Sequence, residues 1–236
     1  MKKDIVKAIE KEKEYLEYRK QGKEPFHLVD VIKDCGFESL SEYFEEKTKY
    51  DFEHLQFKTI ETSPEKAVSD IMNCIINKKT TILFAETPFT LVWNGINSSF
   101  NEIYCKEHQI PVFPLYTGGG TIVSTKGDLN IGICVPDRDK IKSYFVLNGL
   151  VKIFQKYTNK NIVIDGNDIL IDNKKVVGSA TYRLNNMFVF IAPVSLTEKT
   201  ELINNICVKK SSKTPAHIDF MTANELKQEV TQWLLA

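Results

Sequence analysis

The first 55 residues carry a sparse helical pattern of apolar positions among many charged ones. Ile5, Ile9 and Leu16 form a narrow apolar stripe, which is typical of an exposed helix. Similar stripes predict a second helix and then a third, which begins after Ser39. We therefore interpret residues 1–55 as a small helical appendage, either a packing arm or a partner-binding surface.

Beyond residue 56, helical spacing alternates with the period of two that is typical of strands. Ser63 followed by Pro64 predicts the start of a helix, and a longer amphipathic helix is predicted over 140–157. Short apolar or alternating segments predict strands at 80–85, 89–93, 111–115, 129–135, 161–164, 169–171, 175–177 and 187–192. Several strands are joined by short turns, such as Asp172-Asn173, rather than by helices. The pattern predicts an α+β fold with a mixed, largely antiparallel sheet and flanking helices over 56–236.

Composition narrows the class of function. Lys and Arg together number 31, and Asp and Glu also number 31, so the formal net charge is zero and no nucleic-acid partner is expected. The five cysteines contain no Cys-x-x-Cys pair, which disfavours a zinc site. No apolar run approaches the roughly 18 residues of a membrane span, and the charged N-terminus is unlike a signal peptide. We expect a cytoplasmic protein with no membrane partner.

The sharpest local feature is the run Thr117-Gly118-Gly119-Gly120. Consecutive glycines cost conformational entropy, and their backbone N–H groups can surround an anion. The run lacks the Gly-Lys-Ser/Thr ending of a P-loop and does not match Gly-x-Gly-x-x-Gly. It is therefore either an anion-binding loop or simply a flexible turn.

Lys175 is the candidate for the chemistry. A lysine after a turn is most often a solvated hairpin tip, but here the small residues Gly178, Ser179 and Ala180 follow on the same strand. Such residues leave room for a ligand beside the strand. A lysine there can hold a phosphate or an acyl carbonyl oxygen as a compact charge.

Four segments, in order and with suitable spacing, resemble the lipoate–protein ligase family. They are PVFPLYTGGGTIV at 111–123, GDLN at 127–130, GNDI at 166–169 and KVVGSA at 175–180. The resemblance covers about residues 57–236. It implies the catalytic-domain fold that biotin and lipoyl protein ligases share.

The resemblance also implies roles for individual residues. Lys175 would contact both the acyl carboxylate and the nucleotide α-phosphate, Asn167 would support the nucleotide, and Asp168 would help to hold Mg²⁺. The implied substrate and nucleotide contacts are Thr117, Gly118, Gly119, Gly120, Thr121, Ile122, Val123, Asn130, Asn167, Asp168, Gly178, Ser179 and Ala180.

The implied reaction is the ATP-dependent attachment of lipoate, or a related medium-chain acyl group, to a lysine of an acceptor protein. It proceeds through an acyl-adenylate, with Mg²⁺ assisting the phosphates. The expected partners are the acyl substrate and an acceptor of the lipoyl-domain type, and an accessory protein is left open as a third.

The chain departs from the family pattern at two places, and this keeps alternatives open. Pro114, Leu115 and Tyr116 stand where the family has arginines, and Ser124-Thr125 stands where it has His-Asp. A non-catalytic binding or scaffold module on the same fold is one alternative. An ATP-independent octanoyl or lipoyl transferase with a cysteine nucleophile is another, although Cys134 and Cys207 are better interpreted as core residues. A biotin ligase ranks lower, and Trp93 is either a core aromatic residue or part of the acyl pocket.

Overall fold

The computed structural model describes residues 3–23, 26–95, 98–115, 120–137, 143–209 and 212–235. The chain divides into two compact units, Met1–Leu55 and Gln56–Ala236. Among the described residues, none of the helices combines the length and the hydropathy that crossing a bilayer requires.

The first unit is helical, as the apolar stripes predict. It contains α1 (Ile5–Lys20), α2 (Leu28–Asp34) and α3 (Leu40–Glu53). The hydroxyl of Ser39 accepts a hydrogen bond of 3.1 Å from the backbone N–H of Glu42, which caps α3 as a serine at this position commonly does. The helices bury a core of their own, formed by Ala8, Ile32, Cys35, Phe37 and Tyr43.

The second unit interleaves helices with short strands. Its helices are α4 (Pro64–Ile76), α5 (Glu102–Glu107), α6 (Ser143–Gln155), α7 (Thr200–Ile206) and α8 (Ala223–Leu235). Its strands are β1 (Lys58–Thr62), β2 (Thr81–Glu86), β3 (Leu91–Gly95), β4 (Val112–Leu115), β5 (Thr121–Ser124), β6 (Leu129–Pro136), β7 (Ile162–Asp165), β8 (Asp168–Ile171), β9 (Lys174–Gly178), β10 (Ala180–Leu184) and β11 (Met187–Val194).

Among the described residues, eight strands form one sheet and three form another. The larger sheet has the order β1-β2-β6-β11-β9-β8-β7, with β10 also paired to β11, and the smaller has the order β4-β3-β5. The pairs β1–β2 and β3–β4 are parallel and the other pairs are antiparallel. The predicted α+β fold with a mixed, largely antiparallel sheet is therefore confirmed.

Both faces of the larger sheet are buried. On one face, α4 packs through Ile71 against Leu83 of β2 and Cys134 of β6. Ile82 and Ile133 alternate with these residues and are fully buried, so they face the opposite side. There α8 contacts β2, and α6 packs on α8.

The sequence pattern does not predict several of the short elements, namely β1, β5, β10, α5 and α7. The sequence pattern does not predict β10 because this strand is largely exposed. Thr181, Arg183 and Leu184 are exposed, and the strand has no clear apolar alternation. Its conformation depends on pairing with β11, which no local pattern reveals.

Candidate functional site

A tight hairpin brings Lys175 close to Asp168. Strands β8 and β9 are joined at Asp172 and Asn173, whose φ angles of 49° and 63° lie in the left-handed region. Two such residues are what a two-residue type I′ turn requires, and Asn and Asp tolerate it well. The predicted hairpin at this turn is confirmed, and its register sets Asp168 opposite Gly178.

Two lysines share the carboxylate of Asp168. The ammonium of Lys175 lies 2.8 Å from Oδ1, and that of Lys213 lies 2.7 Å from Oδ2. Lys213 also donates to the backbone carbonyl of Asp165 at 2.8 Å. The side chains of Lys175 and Lys213 are 34% and 21% exposed, so both ammonium groups remain within reach of a ligand.

The same contacts set the protonation of the cluster. Burial raises the pKa of Asp168, but hydrogen bonds from Lys175 and Lys213 outweigh it, and the pKa lies below its usual value. Burial also lowers the pKa of Lys213, and its bonds to Asp168 and Asp165 outweigh that effect and raise it. At neutral pH Asp168 is therefore a carboxylate and Lys213 a charged ammonium group.

The small residues after Lys175 make room for Lys175 itself. A Cβ atom at Gly178 would lie 3.1 Å from both Cε and Nζ of Lys175, tighter than an ordinary contact. The lysine side chain therefore lies back over the glycine backbone. The Ser179 hydroxyl donates to the carbonyl of Asn167 at 2.8 Å, which ties the two strands of the hairpin together.

Lys213 is a site residue that the sequence pattern did not reveal. It belongs to a segment that runs beside β9, where Lys175 N–H donates to Thr214 at 2.8 Å and Ala216 N–H donates to Lys175 at 2.9 Å. The segment joins the hairpin from 38 positions further along the chain, so no local spacing connects the two lysines.

An apolar cavity of about 450 Å³ lies between α4, the larger sheet and the smaller sheet. Its walls come from the helix face, from β2, β6, β10 and β11, and from one residue on each strand of the smaller sheet. The lining residues include Ala67, Val68, Ile71, Met72, Leu83, Ala85, Trp93, Leu115, Ile122, Asn130, Gly132, Tyr182, Leu184, Ile191 and Pro193. This size and composition suit a small apolar ligand.

The register of the strands places Lys175 of β9 just beyond the part of β11 that lines the cavity. Val177 of β9 pairs with Val194, and Ala180 of β10 pairs with Ile191. Because β9 runs antiparallel to β11, Lys175 lies past Pro193, beyond the end of the cavity wall. An extended ligand in the cavity can therefore present its head group toward the lysines.

The side chains of β5, the strand that follows the glycine run, alternate between the cavity and the opposite side of the strand. Ile122 lines the cavity, but Val123 faces away from it and packs with Val92, Cys105 and Ile206. This follows from the alternation of side chains along β5. Val123 therefore does not reach the cavity that Ile122 lines.

The structure describes the surroundings of three further candidate residues, Thr121, Asn130 and Gly120. The Thr121 hydroxyl donates to Asn94 Oδ1 at 3.1 Å, and Asn130 lines the cavity. A Cβ atom at Gly120 would meet nothing within 4 Å in the described part of the chain, so no contact seen there requires a glycine. Thr117, Gly118 and Gly119 lie outside the described residues.

The cysteines bear on the transferase alternative. Cys207 is half-buried and donates to the Thr121 carbonyl at 3.8 Å, and burial raises its pKa, so its thiol stays protonated. A hydrogen bond from Cys134 lowers the pKa of Cys74 to about 6, but both residues are within the core, 1% or less exposed. Cys134 is thus a core residue, as its sequence context predicts.

Asp168 is the carboxylate that bears on the implied magnesium site. Within the described parts of the chain, no group of three or more His, Cys, Asp or Glu side chains could hold a metal ion. Asp168 provides one carboxylate, and Mg²⁺ in nucleotide sites commonly uses one or two carboxylates together with phosphates. The residues fit such an ion only when a nucleotide supplies the remaining oxygens.

A family model described as "lipoyl protein ligase A/B catalytic domain" matches residues 71–233. A comparison with curated proteins finds none that matches. Among solved structures, a bi-partite lipoate protein ligase from Thermoplasma acidophilum, described with its E2 lipoyl domain, aligns with a TM-score of 0.64 and 18% identity, over 76% of this chain and 82% of that one.

Two further structures have the same fold. LipL1 of P. falciparum, in complex with lipoate, aligns with a TM-score of 0.64 and 14% identity, over 75% of this chain and 62% of that one. A lipoate-protein ligase A bound with ATP aligns with a TM-score of 0.58 and 16% identity, over 75% of this chain and 83% of that one. At such identities the similarity establishes the fold.

Proposed function

This chain belongs to the lipoyl protein ligase A/B catalytic-domain family, and we propose that it attaches lipoate, or a related medium-chain acyl group, to a lysine of an acceptor protein by way of an acyl-adenylate. One observation carries the proposal: the strand register sets Lys175, which shares Asp168 with Lys213, just past the β11 wall of an apolar cavity of about 450 Å³. The cavity suits an acyl chain and the lysines suit its anionic head group. Residues 56–236 are then the catalytic domain, and residues 1–55 are a helical appendage.

The cavity accounts for binding of the acyl chain. Most of its lining is apolar, and the polar side chains among the lining residues, Thr62, Asn130, Tyr182 and Arg183, all lie on the larger sheet. Each methylene that enters it from water gains about 0.8 kcal/mol. The carboxylate end remains at the lysine end of β11, since burying a charged group in an apolar cavity is unfavourable.

Lys175 and Lys213 act on the head group. In the first step an acyl carboxylate oxygen attacks the α-phosphorus of ATP, and the bond to pyrophosphate breaks. In the second step an acceptor lysine amine attacks the acyl carbon, and AMP leaves. Both steps place negative charge on oxygen atoms, which two fixed ammonium groups stabilise. Lys213 supplies a second cation in a chain that has Leu115 and Tyr116 where the family has arginines.

The glycine run and the hairpin support the nucleotide. Gly120 and its neighbours in the run would offer backbone N–H groups to the phosphates, and Asn167 would contact the nucleotide at the end of the hairpin. Asp168 would hold Mg²⁺ that arrives with the phosphates, and the ion would neutralise part of their charge.

The acceptor is proposed to be a protein of the lipoyl-domain type. The T. acidophilum ligase is described with its E2 lipoyl domain and as bi-partite. An acceptor of that class, and an accessory protein that completes the ligase, are the corresponding proposals for this chain. Gly178, Ser179 and Ala180 near Lys175 are small and only half-buried, which would leave the acyl carbon open to an incoming lysine.

The test is release of pyrophosphate by the purified protein in the presence of ATP, Mg²⁺ and lipoate. We expect release that depends on lipoate, and transfer of the acyl group to a lipoyl domain on a gel. Acyl transfer from an octanoyl thioester without ATP would instead establish the transferase. Absence of binding to both lipoate and ATP would contradict the proposal and favour a non-catalytic module.

A further inference from the structure

The carboxylate of Asp168 holds its two lysines unequally. The ammonium of Lys213 has three acceptors: Oδ2 of Asp168 at 2.7 Å, Oδ2 of Asp165 at 3.0 Å and the backbone carbonyl of Asp165 at 2.8 Å. Within the described ranges of the chain, the ammonium of Lys175 makes one ion pair, at 2.8 Å from Oδ1 of Asp168. Lys213 is therefore firmly anchored, whereas Lys175 can leave by breaking a single contact.

Departure of the Lys175 ammonium would leave the rest of the cluster in place. The backbone of Lys175 stays bonded to Thr214 and Ala216, so only the side chain has to rotate. A Cβ atom at Gly178 would lie 3.1 Å from Cε and Nζ of Lys175, and its absence leaves that side of the lysine uncovered. Lys213 remains on the other carboxylate oxygen, so Asp168 keeps a cation and is not left as an unpaired charge.

An acyl head group and Asp168 need the same ammonium group. Both are carboxylates, and in the proposed reaction the head group binds Lys175. Each bound acid must therefore displace Asp168 from the lysine. When the state that can bind a ligand is only part of the population, the apparent affinity falls by that fraction. Because a partly exposed ion pair is weak, the competition should change the affinity by a few fold and should not abolish binding.

We propose that Asp168 is an internal competitor, which occupies Lys175 in the ligand-free protein and lowers the affinity of the site for acyl carboxylates. This inference rests on the proposed function, because it takes an acyl acid as the ligand of the cavity. It goes beyond that function by giving Asp168 a role before any nucleotide is bound. Asp168 is then a positioning residue that acts on the head group through Lys175.

The experiment compares lipoate with lipoamide, which share the ring and the chain and differ in the charge of the head group. Asp168→Asn removes the competing charge and nearly keeps the shape of the side chain. Asp165→Asn is the matched control, because it removes a charge of the same sign from the same hairpin, and Asp165 pairs with Lys213. Calorimetric titrations without ATP and Mg²⁺ measure the two affinities in each protein.

We expect Asp168→Asn to bind lipoate about twofold to fivefold more tightly than wild-type protein does. Its affinity for lipoamide should not change, because a neutral head group does not compete for the ammonium. Asp165→Asn should match wild type for both ligands. A carboxylate that only supported the site would weaken binding when removed, so a gain for the acid alone has the sign that a competitor requires.

A second pair of variants separates competition from repulsion through space. Removal of any negative charge near the site could tighten binding of an acid by reducing repulsion. Lys175→Met deletes the ammonium for which Asp168 competes. Lipoate should therefore bind equally well to Lys175→Met and to Lys175→Met/Asp168→Asn. A gain that persists without Lys175 would assign the effect to repulsion and would overturn the inference.

The other outcomes are equally definite. Unchanged or weaker binding of lipoate by Asp168→Asn would overturn the inference and leave the proposed function intact. Loss of lipoamide binding in the same variant would show a structural role for the carboxylate and would also overturn it, as would an equal gain in Asp165→Asn. If wild-type protein binds neither lipoate nor lipoamide, the cavity is not an acyl site and the proposed function itself fails.

Discussion

Two lysine–carboxylate groups in the second unit have the same chemistry and opposite surroundings. Asp128 and Lys199 form a buried ion pair, with side chains only 2% and 5% exposed. Asp128 also accepts hydrogen bonds from the backbone N–H groups of Thr125, Leu196 and Thr197. Asp168, by contrast, holds its two lysines at the surface, where its own side chain is 17% exposed and that of Lys175 is 34% exposed.

The difference indicates which group is structural and which is available to a ligand. Donors from two loops form hydrogen bonds with both carboxylate oxygens of Asp128. The Asp128–Lys199 pair therefore joins the β5–β6 turn to the segment after β11. Burial lowers the pKa of Lys199, and the contact with Asp128 opposes that effect only in part. In the Asp168 group, solvent reaches the ammonium groups, so a bound anion can replace water without breaking the fold.

The largest expected effect comes from Lys199→Met, which leaves Asp128 charged and buried without its cation. We expect a loss of about 3–5 kcal/mol in the free energy of unfolding. Urea titration followed by tryptophan fluorescence measures it, because Trp93 and Trp233 both belong to the second unit. The double variant Asp128→Asn/Lys199→Met removes both charges and should recover most of the loss. A single-variant loss below about 1 kcal/mol would contradict the assignment of a buried pair.

The next largest effect is expected from Lys175→Met, and it concerns activity rather than stability. Loss of a cation from the transition state should lower kcat/KM for acyl transfer by about 10²–10³-fold. The unfolding free energy should change by about 0.5 kcal/mol or less, as for other surface positions. Lys174→Met is the matched control, since the adjacent, exposed lysine points to the other face of the strand. Equal losses in both variants would refute a specific role for Lys175.

The smallest effect concerns the acid stability that Asp168 contributes. Its folded-state pKa is lowered, so its contribution is fully present above the unfolded-state pKa near 3.9 and is lost as pH falls through the folded-state value. Asp168→Asn should therefore reduce stability by about 1 kcal/mol at pH 7. The difference from wild type should shrink as the pH falls below about 4. A constant difference from pH 7 to pH 2.5 in urea titrations would show that ionisation of Asp168 is not the cause.

Sequence reasoning recovered the parts of this molecule that local rules control. The hairpin at Asp172-Asn173 was predictable because these residues adopt left-handed backbone angles at little cost. That hairpin alone brings Lys175 close to Asp168, whose spacing in the sequence is only seven residues. The helix after Ser63-Pro64 was predictable for the same reason, since proline at the first helical position is already preorganised.

Pairing between distant segments could not be predicted in this way. Strand β10 is largely exposed and adopts its conformation through β11. Lys213 reaches Asp168 because the segment around Thr214 binds the backbone of Lys175, and nothing in the local sequence specifies that contact. Val123 was grouped with Ile122 as a ligand contact, and only the burial of β5 shows that the two face opposite sides.

The sequence by itself determined the fold class and the hairpin on which Lys175 and Asp168 lie, because backbone propensity and short-range spacing act within a few residues. Only the tertiary structure decided that Lys213 joins them, that Asp128 and Lys199 are buried together, and that the N–H of Trp93 finds no acceptor among the described residues. Those three facts depend on which groups surround a side chain after folding. Burial and hydrogen-bond satisfaction are properties of that environment, and the order of residues along the chain does not encode them locally.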